Sequence, residues 1–126
     1  MNIINNNNEI MMAVDVKDLP NRFYLNDFLI DLHSGEITFD GEVQVIEPKV
    51  MALLKVVAQA PKQVFSAEVL FEVVWPKAIY RPNSGRRNIS FLRQVLGDVD
   101  KKIIKTHPKR GYSLEADVRI INGSTT

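Results

Sequence analysis

Cysteine is absent from all 126 residues. That excludes a disulfide framework, a thiol nucleophile and any thiolate-held zinc or iron–sulfur site. Histidine is scarce, with only His33 and His107, so histidine-rich metal sites and most imidazole catalysis are thinly supplied. Each of the two falls at a turn, where a surface role is the default. Long apolar runs are missing too. The longest, residues 50–58, is interrupted by Lys55 and falls far short of the ~20 residues a membrane span needs. The N-terminus lacks the basic start and apolar core of a secretory signal. There is no glycine-rich phosphate loop, no Gly-x-Ser-x-Gly and no His-Glu-x-x-His, and with them go the familiar catalytic constellations. The expectation is a non-enzyme with no catalytic residues, cofactor, metal or small-molecule substrate.

What is present suits one globular domain: 45% hydrophobic and 25% charged residues, enough to bury a core unaided. The net charge of +1 conceals a segregation. Residues 75–111 hold ten Lys/Arg against Asp98 and Asp100, a local net of +8, and the remainder carries −7. An acidic body joined to a basic segment fits a polyanionic partner on one face, and it also fits a solvated face with no partner.

Three parts follow along the chain. Residues 1–19 include Asn5-Asn6-Asn7-Asn8, which can bury nothing, and are expected to form a disordered arm. Residues 20–118 form the domain. Residues 119–126 are expected to be a flexible tail.

Within the domain the hydrophobic period changes. From 22 to 46 it is two: Phe28, Ile30 and Leu32, then Ile37 and Phe39, then Val43 and Val45. Asn26-Asp27, Ser34-Gly35 and Asp40-Gly41 punctuate the runs, the last a strong hairpin signal. This predicts a small antiparallel sheet of three or four strands. Val50, Leu53, Leu54, Val57 and Ala58 then take helical spacing, with Pro48 suited to the first turn and Pro61 as the stop. A short strand is expected at 63–65. Ser66 can cap a second helix whose core stripe is Ala67, Leu70, Phe71 and Val74, with Trp75 anchoring the loop at 76–83. A third helix is expected from Ser84, as cap, to Leu96. Strands at 103–106 and 112–115 follow, joined by a turn at 107–111.

The third helix has two chemically different faces. Gly85, Ile89, Leu92 and Leu96 must pack on the core. Arg87, Ser90, Phe91 and Gln94 lie opposite, with Arg86 and Arg93 along one edge. Arginine can bond guanine bidentately, glutamine can do so for adenine, and phenylalanine can meet a thymine methyl. An exposed Phe91 needs either a partner or a neighbouring loop to cover it. The turn at His107-Pro108-Lys109-Arg110-Gly111 is short, proline-stiffened and doubly basic, suited to a minor groove or to phosphates. By itself it would read as a solvated turn.

Helix, turn, helix and hairpin in that order make a winged helix. The chain resembles the OmpR/PhoB-type winged-helix DNA-binding domains, and most the ToxR/CadC-like branch. The resemblance runs from about residue 22 to 116. It is carried by Glu47-Pro48-Lys49 with Leu53-Leu54, by Val64-Phe65-Ser66 before Leu70 and Val74-Trp75, and by Ile89-Ser90-Phe91-Leu92-Arg93 with Leu96-Gly97-Asp98. Pro108-Lys109-Arg110-Gly111-Tyr112 completes it.

The resemblance implies an α+β winged helix-turn-helix with an N-terminal antiparallel sheet, three helices and a C-terminal hairpin wing. It implies a bacterial transcription regulator, an activator, that binds double-stranded promoter DNA through the third helix (84–96) in the major groove and the wing (107–111) in the minor groove. Base contacts are expected from Arg86, Arg87, Ser90, Phe91 and Gln94. Backbone or wing contacts are expected from Arg81, Asn83, Ser84, Asn88, Arg93, His107, Lys109 and Arg110. It further implies contact with RNA polymerase through loop 76–83, and homodimers or tandem protomers on DNA. The chain departs from the family in having neither a phosphoreceiver nor a membrane segment. That suggests a cytoplasmic regulator, either free-standing or a piece of one tethered to the inner membrane by a transmembrane helix. Gly85-Arg86-Arg87 stands where relatives often carry a small apolar–acidic run, so their base preferences do not transfer. The alternative is a winged helix used to dock an acidic protein.

Overall fold

In the computed structural model residues 19–121 are described. Four short strands come first: β1 (Arg22–Leu25), β2 (Phe28–Asp31), β3 (Glu36–Phe39) and β4 (Glu42–Val45). Each pairs antiparallel with the next. Asp40 and Gly41 join β3 to β4 at φ 51° and 80°. Positive φ at both central residues gives the turn the twist that neighbouring strands require. At the β2–β3 turn the Ser34 amide donates to Asp31 Oδ1 at 2.9 Å, which holds that half-buried carboxyl below its usual range.

Alternation along the strands sets the faces. Phe23, Leu25, Ile30 and Ile37 are wholly buried and point to one side. Three helices cover that side: α1 (Pro48–Gln59), α2 (Ala67–Val74) and α3 (Pro82–Val95). Leu53, Leu54 and Val57 of α1, Leu70 and Val74 of α2, and Ile89 and Leu92 of α3 join the strand residues in one apolar cluster. Pro48 opens α1, and Ser66 Oγ caps α2 by accepting the Val69 amide at 3.1 Å. Ala67 is half-buried, whereas Leu70, Phe71 and Val74 are buried.

A hairpin completes the domain, β5 (Ile104–His107) with β6 (Gly111–Leu114). Ile104 and Leu114 root it in the core at zero exposure. The order of sheet, three helices and wing is that of a winged helix.

Four expectations need correction. The helix cap expected at Ser84 lies three residues earlier, at Arg81, with Pro82 as the first helical residue. Proline's fixed φ and missing amide suit that place, and the Ser84 amide is already inside the helix, bonded to Arg81 O at 3.1 Å. The expected strand 63–65 is a single bridge, Phe65 to Tyr112. The wing strands sit one residue off, so His107 and Gly111 pair with each other and leave Pro108, Lys109 and Arg110 as the tip.

The fourth concerns the tail. Val118–Ile120 forms a further strand, β7, on the free edge of β1. The sheet order among the described residues is therefore β4-β3-β2-β1-β7. Phe23 pairs with Ile120, and the Arg119 guanidinium donates to Asn26 O at 2.8 Å while lying over the Tyr24 ring. Of the arm expected at 1–19, residues 1–18 lie outside the described residues, as does the tail from 122, whereas Leu19 is half-buried against the core.

Candidate nucleic-acid interface

Helix α3 presents its core stripe, the buried Ile89 and Leu92 with the half-buried Gly85, to α1 and α2. Its opposite face is therefore free, and Asn83, Arg86, Arg87, Ser90, Phe91 and Gln94 are all exposed there. Arg86 Nη1 donates to Asn83 Oδ1 at 3.0 Å, one turn apart along the helix edge. The Arg87 guanidinium lies 5.5 Å from the centroid of the Phe91 ring. Phe91 is 38% exposed and borders a shallow groove of about 270 Å³ formed with Val45, Ile46, Val50 and Val95. The ring is thus part covered by the β4–α1 junction and part open.

The wing tip stands beside the start of α3. A groove of about 300 Å³ runs between them, with Arg86 on one wall and Lys109 and Arg110 on the other. Its floor is aromatic: Phe71 packs on Trp75 at 4.7 Å and edge-on to Tyr80 at 5.3 Å. These rings fasten the 75–81 loop to α2, so the anchoring expected of Trp75 is shared with Tyr80. Lys109 takes a left-handed backbone at φ 63°. Arg81 is exposed at the head of α3 and Ser84 is half-buried.

Three residues expected at the interface are held elsewhere. Asn88 is 7% exposed, on the core side of α3, and its Nδ2 has no hydrogen-bond partner. Short side chains on the margin of a helical stripe turn inward when neighbouring helices close over them, and spacing alone does not show this. Arg93, with its side chain 13% exposed, is a strut. Its Nε and Nη2 donate to Ile104 O at 3.0 and 2.6 Å, and Nη2 also reaches Thr106 Oγ1 at 2.7 Å. The guanidinium also lies over the Tyr112 ring at 5.8 Å. It ties α3 to the wing through Nε and Nη2.

His107, also expected at the wing tip, is half-buried at the end of β5. Its Nε2 lies 2.7 Å from Ser113 Oγ, and that hydroxyl donates to Glu115 Oε2 at 2.7 Å. With its proton given to the carboxylate, Ser113 can only accept, so Nε2 carries the hydrogen.

Asp98 is the residue whose role the sequence did not reveal. It is 7% exposed. Its Oδ1 accepts the Lys102 and Ile103 amides at 2.8 and 3.0 Å, and its Oδ2 accepts the Ile104 amide at 2.8 Å. The Arg93 Nε stands 3.9 Å away. An aspartate directly after a helix-ending glycine was the available signal, but only the fold supplies the three amides.

Among the described residues no helix is long and apolar enough to cross a membrane, and no cluster of potential metal ligands occurs.

Comparison with known proteins agrees with this architecture. Residues 41–114 match the family described as "Transcriptional regulatory protein, C terminal". The chain is 32% identical over 97 residues to the transcriptional activator CadC of Escherichia coli, covering 75% of this chain and 19% of that one. It is 35% identical over 92 residues to the transcriptional regulatory protein YclJ of Bacillus subtilis, covering 71% and 40%. It thus spans well under half the length of either relative. The solved DNA-binding domain of Escherichia coli CadC superposes with a TM-score of 0.72 at 29% identity, covering 82% of this chain and 99% of that one. On the matched model, the fold and these relatives together, the chain belongs to the OmpR/PhoB-type family of transcriptional regulatory domains.

Proposed function

We propose that the chain binds double-stranded promoter DNA, with α3 in the major groove and the wing on the minor groove and flanking phosphates, and activates transcription. The observation that carries this reading is the shared groove. Arg86 of α3 and Lys109 and Arg110 of the wing line the same cleft, so two elements present cations to one ligand surface. A polyanion with a regular repeat satisfies both.

Arg87, Ser90, Phe91 and Gln94 face the base edges. Arg81, Asn83, Arg86, Lys109 and Arg110 meet the backbone, with Arg86 close enough to the base face to share in readout. Arg93, His107 and Asn88 support the frame. Loop 75–81 carries Ile79 at 81% exposure, an apolar point for RNA polymerase, and tandem protomers would occupy repeated half-sites. The domain works on the cytoplasmic side and performs no catalysis.

The wing supplies the decisive measurement. Lys109→Ala/Arg110→Ala should bind every duplex more weakly at low salt, and log K against log[salt] should become shallower by up to about two, because fewer counterions are released. An unchanged slope and affinity would remove the wing from the interface and bring forward the docking of an acidic protein.

Arg87 gives the complementary test. It lies opposite the buried stripe, so Arg87→Ala should leave thermal unfolding nearly unchanged. On a selected binding site it should cost about 1–3 kcal/mol, with less lost on random DNA. Equal losses on both, titrated at one salt concentration, would assign Arg87 to a phosphate.

A further inference from the structure

Resting on the duplex-DNA reading, we infer that Arg87 and Phe91 act as one unit that reads a guanine–cytosine pair directly beside a thymine–adenine pair, with the thymine recognised through its methyl group.

The guanidinium of Arg87 lies over the Phe91 ring at 5.5 Å, and residues four apart on a helix are neighbours on its surface. Arginine keeps its plane on an aromatic face readily, because the guanidinium is weakly hydrated. This holds a flexible side chain in one orientation before any ligand arrives. Arg87 has no carboxylate within 4.0 Å among the described residues, where the ion pairs are Arg22 with Asp31 and Arg93 with Asp98. Its donors are therefore available. The position is also the wrong one for a phosphate. Phosphates line the walls of the groove, which the edge residues and the wing approach, whereas Arg87 projects from the middle of the outward face. At the floor of the major groove the group that accepts both its donors is guanine, through O6 and N7.

Phe91 supplies the second half. One part of its ring rests beside Val45, Val50 and Val95, and the guanidinium overlies another. What remains, within the 38% exposure of the residue, is an apolar patch with no hydrogen-bonding capacity. In the major groove only thymine offers an apolar group, its C5 methyl. The two side chains start four residues, about 6 Å, apart along the axis and converge through their stacking. Base pairs repeat every 3.4 Å, so the two tips fall on adjacent pairs.

The test starts with the whole chain and a random-sequence duplex library. Enriched sites should share a G·C pair next to a T·A pair. Replacing that thymine by uracil, which differs only in lacking the methyl, should weaken wild-type binding about four-fold and leave Phe91→Ala indifferent. Replacing the G·C pair by A·T should weaken wild type by about 5- to 150-fold and leave Arg87→Ala much less affected. Equal wild-type affinity for thymine and uracil would overturn the inference, as would an undiminished guanine preference in Arg87→Ala. Because the uracil change is made in the DNA, the wild-type comparison decides even where Phe91→Ala folds poorly. Absence of any salt-dependent duplex binding by wild type would overturn the DNA reading itself and this inference with it. Retained binding without a methyl effect would overturn this inference alone.

Discussion

Gly111→Ala should lower the thermal midpoint by more than 10 °C and detach the wing from the helical core. Gly111 sits at φ +135°, and a Cβ built there would lie 1.9 Å from Phe65 O and 2.7 Å from Phe65 C. Those atoms are backbone, held in place by the reciprocal bridge: the Phe65 amide donates to Tyr112 O at 2.8 Å, and the Tyr112 amide donates to Phe65 O at 2.9 Å. Neither side can yield without breaking both bonds. Strained backbone costs about 1–3 kcal/mol, and forced overpacking about as much again. In a domain of roughly 100 residues each kcal/mol moves the midpoint by about 4–8 °C. Calorimetry of the variant checks the loss. A midpoint within two degrees of wild type would show that the close approach of strand and loop is absent in solution. Binding should suffer beyond the loss of folded protein, because Lys109 and Arg110 no longer stand across the groove from Arg86.

Much of this fold is visible in local sequence, and the reason is that its signals are local. Asp40-Gly41, Pro48, Ser66 and the stripes of α1 and α2 each depend on residues within one turn of themselves. The two faces of α3 follow from spacing alone, and its exposed polar face is the one anticipated. What escaped depends on distant partners. Arg93 has the spacing of an edge cation, yet Ile104 and Thr106, more than ten residues on, engage its Nε and Nη2. His107 belongs to a loop signal but is claimed by Ser113 across the hairpin. Asn88 lies at the margin of a stripe, where packing of neighbouring helices decides exposure. Strand β7 is three residues long, and Val118 and Ile120 alternate too briefly to stand out until β1 offers them an edge. The exposure read from sequence thus agrees with the structure where a side chain needed only to be outward, and differs where its partner came from another element.

The second large effect falls on Asp98. Asp98→Ala should destabilise the domain by about 3 kcal/mol or more, since a buried amide left unpaired costs about 1–3 kcal/mol and three amides lose their acceptor at once. The Ile104 amide is buried and the other two are part-buried. Asp98→Asn separates the contributions. Its single carbonyl oxygen can keep the Lys102 and Ile103 amides, but its NH2 group would then face the Ile104 amide, donor against donor, so an intermediate loss is expected. The same segment positions the root of the wing, since Ile104 both donates to Asp98 and accepts from Arg93. Arg93 and Asp98 should therefore couple. In a double-mutant cycle built on Arg93→Met and Asp98→Ala, the combined loss should fall short of the sum of the single losses by 0.5 kcal/mol or more, the range found for residues in one network. Urea unfolding of the four proteins measures it. Strict additivity would mean that the two side chains brace the wing independently, and that Arg93 holds the hairpin through its carbonyl and hydroxyl contacts alone.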